Sequence, residues 1–238
     1  MIEVKDLQKS FGDAHILKGI TTSFSKGKTN LIIGQSGSGK TSLLRMLAGL
    51  LKPDSGKLSL DGEAFQNPED QLIAGHPFVK TVFQDYRLMP NMTVRENVSY
   101  VLLNLEESEK RSRTEELLDL CGLNAFSDKM PKELSGGQQQ RLALARALAE
   151  DPSVLLMDEP FSNIDPVNKA SLLLEIQNIS KAQNVSLIFV THDTQDAMLI
   201  SDRMGFMQSG RLIQLDIPKN VYTKPSTINV ARFMSFTI

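Results

Sequence analysis

The sequence predicts an α/β fold with an antiparallel β part at the N-terminus and a helical insertion in the middle. Three observations lead there. Strand-like runs separated by Gly12-Asp13, Ser25-Lys26-Gly27 and Asp61-Gly62 fill the first quarter of the chain. Unbroken apolar runs later in the chain alternate with helix-forming stretches, which implies a mostly parallel sheet covered on both faces. Between them, Met92 to Gly122 is helical in pattern.

Taken in order, MIEVKDLQKSF and ILKGITTSF are the first two strands. Lys28 to Gly34 is an apolar strand ending in glycine. Thr41 to Leu50 follows as a helix, with Leu43, Leu44, Leu47 and Leu50 on a 3–4 spacing. Pro53-Asp54-Ser55-Gly56 is a turn, and KLSLDG is a hairpin arm closed by Asp61-Gly62. Ser108-Glu109 starts a helix that Gly122 stops. Gln138 to Glu150 is a strong helix former ended by Asp151-Pro152. VLLMDE is a buried strand, Lys169 to Ala182 a helix, and VSLIFVTH a second buried strand.

Composition bounds the rest. At 238 residues one large domain is expected, and no cross-links are needed to fold it. Hydrophobic residues are 41% and charged residues 23%, as in an ordinary soluble globule. The mean hydropathy is -0.16 and no apolar run reaches 18 residues, so no membrane span is expected. The first 20 residues lack the basic start and apolar core of a signal peptide. The single cysteine, Cys121, points to a reducing cytoplasm and reads as a packing residue. Lys+Arg is 26 against Asp+Glu 28, a balance that argues against nucleic acid as a partner. His15 and His76 have no motif around them and read as surface residues.

The chemistry starts at Gly34-Gln35-Ser36-Gly37-Ser38-Gly39-Lys40-Thr41, which fits G-x-x-x-x-G-K-[ST] without a mismatch. It follows a strand and opens a helix, as a P-loop nucleoside-triphosphatase core requires. Its backbone N–H groups can wrap a polyphosphate, with the helix N-terminus adding positive potential. Lys40 would reach the β- and γ-phosphates of ATP, and the Thr41 hydroxyl would ligate Mg²⁺. The competing reading is a flexible Gly/Ser turn. VLLMDE then delivers Asp158 to a strand's carboxyl end, where it can hold Mg²⁺ through water. Glu159 follows as a carboxylate able to polarise an attacking water. Without the P-loop, both would read as solvated acids at a strand end.

Leu134-Ser135-Gly136-Gly137-Gln138 is a second phosphate-friendly helix start: Ser135 can cap, and two glycines permit close backbone approach. It has no lysine and no metal ligand, so alone it should hold ATP poorly. On LSGGQ, the following QQRLALARAL and their place between the P-loop and VLLMDE, the chain resembles the nucleotide-binding subunits of ATP-binding cassette (ABC) transporters. The resemblance implies a head-to-tail homodimer, with ATP between Gly34–Thr41 of one copy and Ser135–Gln138 of the other.

Further roles come from the resemblance alone. Phe11 stands where the family stacks an aromatic, usually Tyr, on adenine. Gln84 resembles the glutamine that touches Mg²⁺ and the water and links the site to the helical insertion, about residues 87–151. Ser162-Asn163-Ile164-Asp165 resembles the loop that crosses the dimer interface, where Ser-Ala-Leu-Asp is usual and Asp165 is kept. His192 matches the switch histidine that contacts the γ-phosphate. Together these imply Mg²⁺-dependent ATP hydrolysis.

With no span of its own, such a subunit needs transmembrane permease subunits, on the cytoplasmic face of the cell membrane. Asp85 to Tyr100 is the expected docking segment, because Tyr86, Leu88, Met89, Pro90 and Met92 are unusually apolar for a loop. The alternative is that they pack the helical insertion. MTVRENV and the tail from Ile217 to Phe233 resemble bacterial importers of small solutes, which implies a solute-binding protein acting through the permease. The expected domain spans 1–238 with no C-terminal regulatory domain. Lipoprotein-release, efflux and cell-division ATPases stay open, as do a soluble non-transport ABC ATPase and a nucleotide sensor without turnover.

Overall fold

The structure, a computed structural model, describes residues 1–161 and 166–235. The first third holds β1 (Ile2–Phe11), β2 (Ala14–Phe24), β3 (Thr29–Ile33), α1 (Lys40–Leu47), β4 (Ser55–Leu60), β5 (Glu63–Ala64) and β6 (Val79–Val82). The helices α2 (Val94–Ser99), α3 (Glu107–Leu120) and α4 (Gly136–Ala149) follow. The rest is β7 (Val154–Asp158), α5 (Pro166–Ala182), β8 (Ser186–Thr191), α6 (Thr194–Ile200), β9 (Arg203–Gln208), β10 (Arg211–Asp216), α7 (Pro218–Thr223) and α8 (Ile228–Ser235).

The strands form two sheets. One is antiparallel, in the order β2-β1-β4-β5. The other runs β10-β9-β3-β8-β7-β6 and is parallel except for β10. Its central strands show why their sequences are continuously apolar. Leu31, Leu155, Met157, Leu187 and Phe189 point to one core, together with α4, α5 and α6 residues. Ile32, Val154, Leu156, Ile188 and Val190 point to the other, against α1 and the antiparallel sheet. Alternation with period two is present, but both faces are dry, so no polar residue marks it. Each such side chain contributes roughly 1.5–3 kcal/mol when fully buried.

Several boundaries differ from expectation for local reasons. The first helix begins at Lys40 and stops at Leu47. Gly49 donates to the Met46 carbonyl (2.9 Å) and Leu50 to the Arg45 carbonyl (2.9 Å), a Schellman stop that the spacing of Leu50 conceals. Gly122 ends α3 the same way, with Gly122 bonded to Asp119 and Leu123 to Leu118. Ser55 and Gly56 already belong to β4, which pairs with β1, so the turn before it is shorter than read. His192 lies one residue beyond β8. His76 is half-buried, its ring 4.4 Å from that of Phe65, and burial lowers its pKa; it is no free surface histidine.

Cys121 packs between α3 and α4 residues and is fully buried. Burial, with the charge of Glu175 behind it and Arg141 opposing, pushes its thiol up to about 12. At pH 8 the thiolate is then only about one part in ten thousand. A thiol-specific disulfide reagent should leave the folded chain unlabelled over hours and label it once guanidinium chloride unfolds it. Rapid labelling of folded protein would contradict this packing.

Candidate functional site

The P-loop is built by close approach. Gly34 leaves β3 with φ 156°, and a Cβ there would lie 2.2 Å from the Met207 carbonyl oxygen. Gly39, at φ 100°, caps α1; a Cβ there would lie 2.8 Å from Leu17 and 3.0 Å from the Ile16 carbonyl oxygen. At Gly37 a Cβ would meet nothing within 4 Å, so the mouth of the loop is open. The Ser38 hydroxyl is buried without a hydrogen-bond partner. Lys40, also buried, donates from Nζ to the carbonyls of Gly34 (2.8 Å) and Gln35 (3.0 Å), spanning the loop from within. Burial lowers its pKa, and the charges of Glu159 and Asp158 partly restore it. An open cradle around a desolvated ammonium and an unpaired hydroxyl fits a polyphosphate.

Across from it, the Thr41 hydroxyl donates to Asp158 Oδ1 at 3.2 Å. Burial raises the Asp158 pKa, the Thr41 bond offsets part of this, and the Glu159 charge adds to the rise. A hydroxyl beside a carboxylate fits a hard divalent cation such as Mg²⁺, which takes few protein oxygens and keeps water and phosphate as its other ligands. Among the described residues no cluster of three or more His, Cys, Asp or Glu could hold a metal by itself.

Glu159 follows β7 with φ 44°, a left-handed conformation costing about 1–3 kcal/mol outside glycine. Its N–H donates to the Val190 carbonyl (3.0 Å), which fixes the turn. That turn aims its carboxylate at His192, with Glu159 Oε2 and His192 Nδ1 3.2 Å apart. The sequence expects both residues at one γ-phosphate site; the direct contact between them is the new finding. Parallel pairing of β7 with β8 places Asp158 opposite Val190, so both strands deliver their next residues to the same end.

Phe11 and Gln84 lie on elements that border this end. Phe11 is 52% exposed at the tip of β1, with the Lys9 ammonium 5.5 Å from its ring centroid. The hairpin carrying it continues into β2, which touches Gly39 through Ile16 and Leu17. Gln84 lies two residues past β6, whose Val82 pairs with Met157 beside Asp158. Asp165, with Ser162, Asn163 and Ile164, lies outside the described residues.

Ser135 and Gln138 form a capping box at the start of α4: Gln138 N–H donates to Ser135 Oγ (3.4 Å), and Ser135 N–H to Gln138 Oε1 (2.9 Å). Gly136 and Gly137 form the first helical turn, where N–H groups lack helical partners. α4 packs on β6, three strands from β3, a lateral offset of about 14 Å at ordinary strand spacing. At its start, Gly137 lies nearest Leu172 of α5.

Within the expected docking segment, Asp85 to Tyr100, the apolar side chains do not all face outward. Tyr86 is 9% exposed and packs in the core with Val94 and Val98, and Leu88 packs against the same core. Tyr86 and Arg87 both have positive φ, 56° and 46°, and at this turn Tyr86 enters the core while Arg87 stays exposed. Asn97, which the sequence reading passed over, holds the loop: its side chain bonds the Met89 N–H and the carbonyls of Met89, Met92 and Thr93 at 2.8–3.0 Å. Exposed apolar side chains lie to either side, at Leu72, Ile73 and Phe78 and at Tyr100, Leu103 and Leu105. A cleft of about 480 Å³ lined by Leu50, Ile73, His76, Phe83 and Arg87 adjoins the first group. A second cleft, about 580 Å³, is lined by Glu159, His192, Lys169, Asp193 and Asp196, a charged cluster no motif announced.

Comparison with known proteins agrees with this geometry. The family described as ABC transporter matches residues 17–162. A shorter match, residues 130–195, is to an AAA domain described as putative AbiEii toxin, Type IV TA system. The spermidine/putrescine import ATP-binding protein PotA of Thermotoga maritima is 40% identical over 99% of this chain. The sulfate/thiosulfate import ATP-binding protein CysA of Bradyrhizobium diazoefficiens is 42% identical over 100% of it. The chain spans 64% of the first relative's length and 70% of the second's. Among solved structures, cbiO1 of Clostridium perfringens, described as part of the ABC transporter complex cbiONQ, superposes with a TM-score of 0.87 at 31% identity, covering 94% of this chain and 90% of that one. The dimeric structure of MJ0796, a bacterial ABC transporter cassette, gives 0.79 at 28% identity, covering 92% and 99%. The family match over residues 17–162 and relatives of 40% and 42% identity show that the chain belongs to the ABC transporter family as an ATP-binding cassette.

Proposed function

We propose that this chain binds and hydrolyses ATP as the motor subunit of an ABC transporter, and that the transporter imports a small solute. The observation that carries the hydrolytic reading is the meeting of Lys40, Thr41, Asp158, Glu159 and His192 at the carboxyl ends of three adjacent parallel strands. Lys40 leaves its two carbonyls for the phosphates, and the loop N–H groups from Gly34 to Thr41 complete the cradle. Mg²⁺, held by Thr41 with Asp158 and Gln84 nearby, supplies charge neutralisation at the phosphates when bound. Glu159 accepts hydrogen-bond density from the attacking water and orients it, and His192 holds the γ-phosphate. Phe11 stacks on adenine.

The site is completed by a second copy. Ser135, Gly136, Gly137 and Gln138 of that copy cap the γ-phosphate, and Asp165 lies at the crossing between copies. The lateral offset of α4 from β3 supports this division, as does the dimeric state named for the MJ0796 cassette. Binding then closes the dimer and hydrolysis reopens it.

The chain reads as one cassette, 1–238, with residues 87–151 as its helical insertion. Among the described residues no helix is long and apolar enough to cross a membrane. Permease subunits would dock along Asp85–Tyr100 and the apolar cleft beside it, on the cytoplasmic face of the membrane, with a solute-binding protein acting through them. Both named relatives are import ATP-binding proteins, for polyamines and for sulfur oxyanions.

Two experiments test this reading. Glu159→Gln should bind ATP, turn it over at least about a hundredfold more slowly and accumulate as an ATP-dependent dimer on a sizing column. Near-normal turnover would remove Glu159 from the role of base. In the second, Lys40→Ala and Ser135→Arg chains are each inactive alone, but mixing them should restore roughly a quarter of wild-type turnover, because half the dimers then carry one intact composite site. Mixtures no better than either variant would exclude a site shared between copies.

A further inference from the structure

Lys169 sits on the first turns of α5, and its ammonium lies 2.7 Å from Asp193 Oδ2 and 2.7 Å from Asp196 Oδ1. The Lys169 side chain is 18% exposed and that of Asp196 5%. Two carboxylates on one ammonium leave the group net negative, so it is poorly suited to receive a phosphate directly. Its connections point to another task. Asp193 is the residue after His192. Its N–H donates to Thr191 Oγ1 (3.0 Å), its Oδ1 accepts from Gln195 N–H (2.8 Å), and its Oδ2 accepts from Lys169. The first two bonds stay within the β8–α6 turn. Lys169 alone of these three partners comes from another element.

We propose that Lys169 is a positioning residue: by clasping Asp193 and Asp196 it ties the start of α5 to the start of α6 and fixes the backbone from which His192 reaches Glu159. This rests on the roles given above to Glu159 and His192. The ion pairs are strong enough to matter. Burial opposes charge on Asp193, yet the Lys169 and Gln195 bonds outweigh it and hold the carboxyl below its usual range. Burial raises Asp196, and Lys169 offsets part of that rise. On Lys169 itself burial is outweighed by the two carboxylates, so its pKa is raised. A second tie, from the Gln177 side chain to the Ile200 carbonyl, fastens the far end of α6 to α5. Loss of Lys169 therefore frees the His192 end while α6 stays attached at the other.

The test is steady-state ATP hydrolysis by wild type, Lys169→Met and Lys169→Arg. Lys169→Met should lower kcat about tenfold with the KM for ATP unchanged within about twofold, because a displaced His192 affects the reacting phosphate and not nucleotide binding. Lys169→Arg, which keeps the charge, should recover to within about threefold of wild type. Unchanged kcat in Lys169→Met, a change confined to KM, or equal losses in both variants would overturn the proposal. Where Lys169→Met fails to melt cooperatively, Lys169→Met with Asp196→Asn removes the stranded buried charge and is judged by the same kcat and KM criteria. If that variant also fails to fold, Lys169 is a folding residue and the proposal falls. Absence of turnover in wild type would overturn the proposed function as well, whereas normal wild-type turnover with an unaffected Lys169→Met overturns the clasp alone.

Discussion

The site depends on one constraint: β3, β7 and β8 are parallel, adjacent and buried on both faces. Parallel strands put all their carboxyl ends on one side. Dry faces fix register, since a one-residue slip would exchange the two cores. Thr29 pairs with Leu187 and Val154 with Ser186, so the residues leaving the three strands emerge at one level. Gly34, Asp158, Glu159 and His192 all leave there. No side chain needs to reach far, and the polar groups there face the end of the sheet and not its core.

On the reading proposed above, that arrangement is a phosphate cradle that is chemically one-sided. It supplies cationic and N–H groups beneath the phosphates, a metal-binding pair beside them and an acid–histidine contact at the edge. The Ser135–Gln138 turn belongs to a different element, α4, whose start lies nearest Leu172 of α5. Ser135 and Gln138 satisfy each other locally, and the first-turn N–H groups of Gly136 and Gly137 lack helical partners. On the same reading the site stays incomplete until two copies come together.

Much of this was legible in the sequence, and the physical reason is contrast. Gly34 to Thr41 and Ser135 to Gln138 must be glycine-rich, and glycine at those spacings stands out. The buried strands stood out by continuous apolarity. Legibility failed where tertiary context overrides a local pattern. Leu50 fits the helical spacing of α1, yet Gly49 ends the helix before it. Tyr86 reads as an exposed docking residue, yet two consecutive positive-φ residues turn it into the core. The Glu159–His192 contact and the Lys169 clasp join residues far apart in sequence, and no spacing rule links them. Asn97 sat inside a quoted segment, but its four bonds to backbone groups are invisible without the loop's shape.

The central claim is that one chain holds the phosphates and another caps them. Cross-linking between chains that each carry one added cysteine tests it most directly, because the native Cys121 is buried and its thiol is pushed up to about 12. Chains carrying Ser36→Cys are mixed with chains carrying Ser135→Cys and treated with a short bifunctional thiol reagent. The account predicts a covalent heterodimer that appears with Mg²⁺ and a non-hydrolysable ATP analogue and is absent without nucleotide. Failure of that band to form with nucleotide, in chains shown to bind it, would contradict the account.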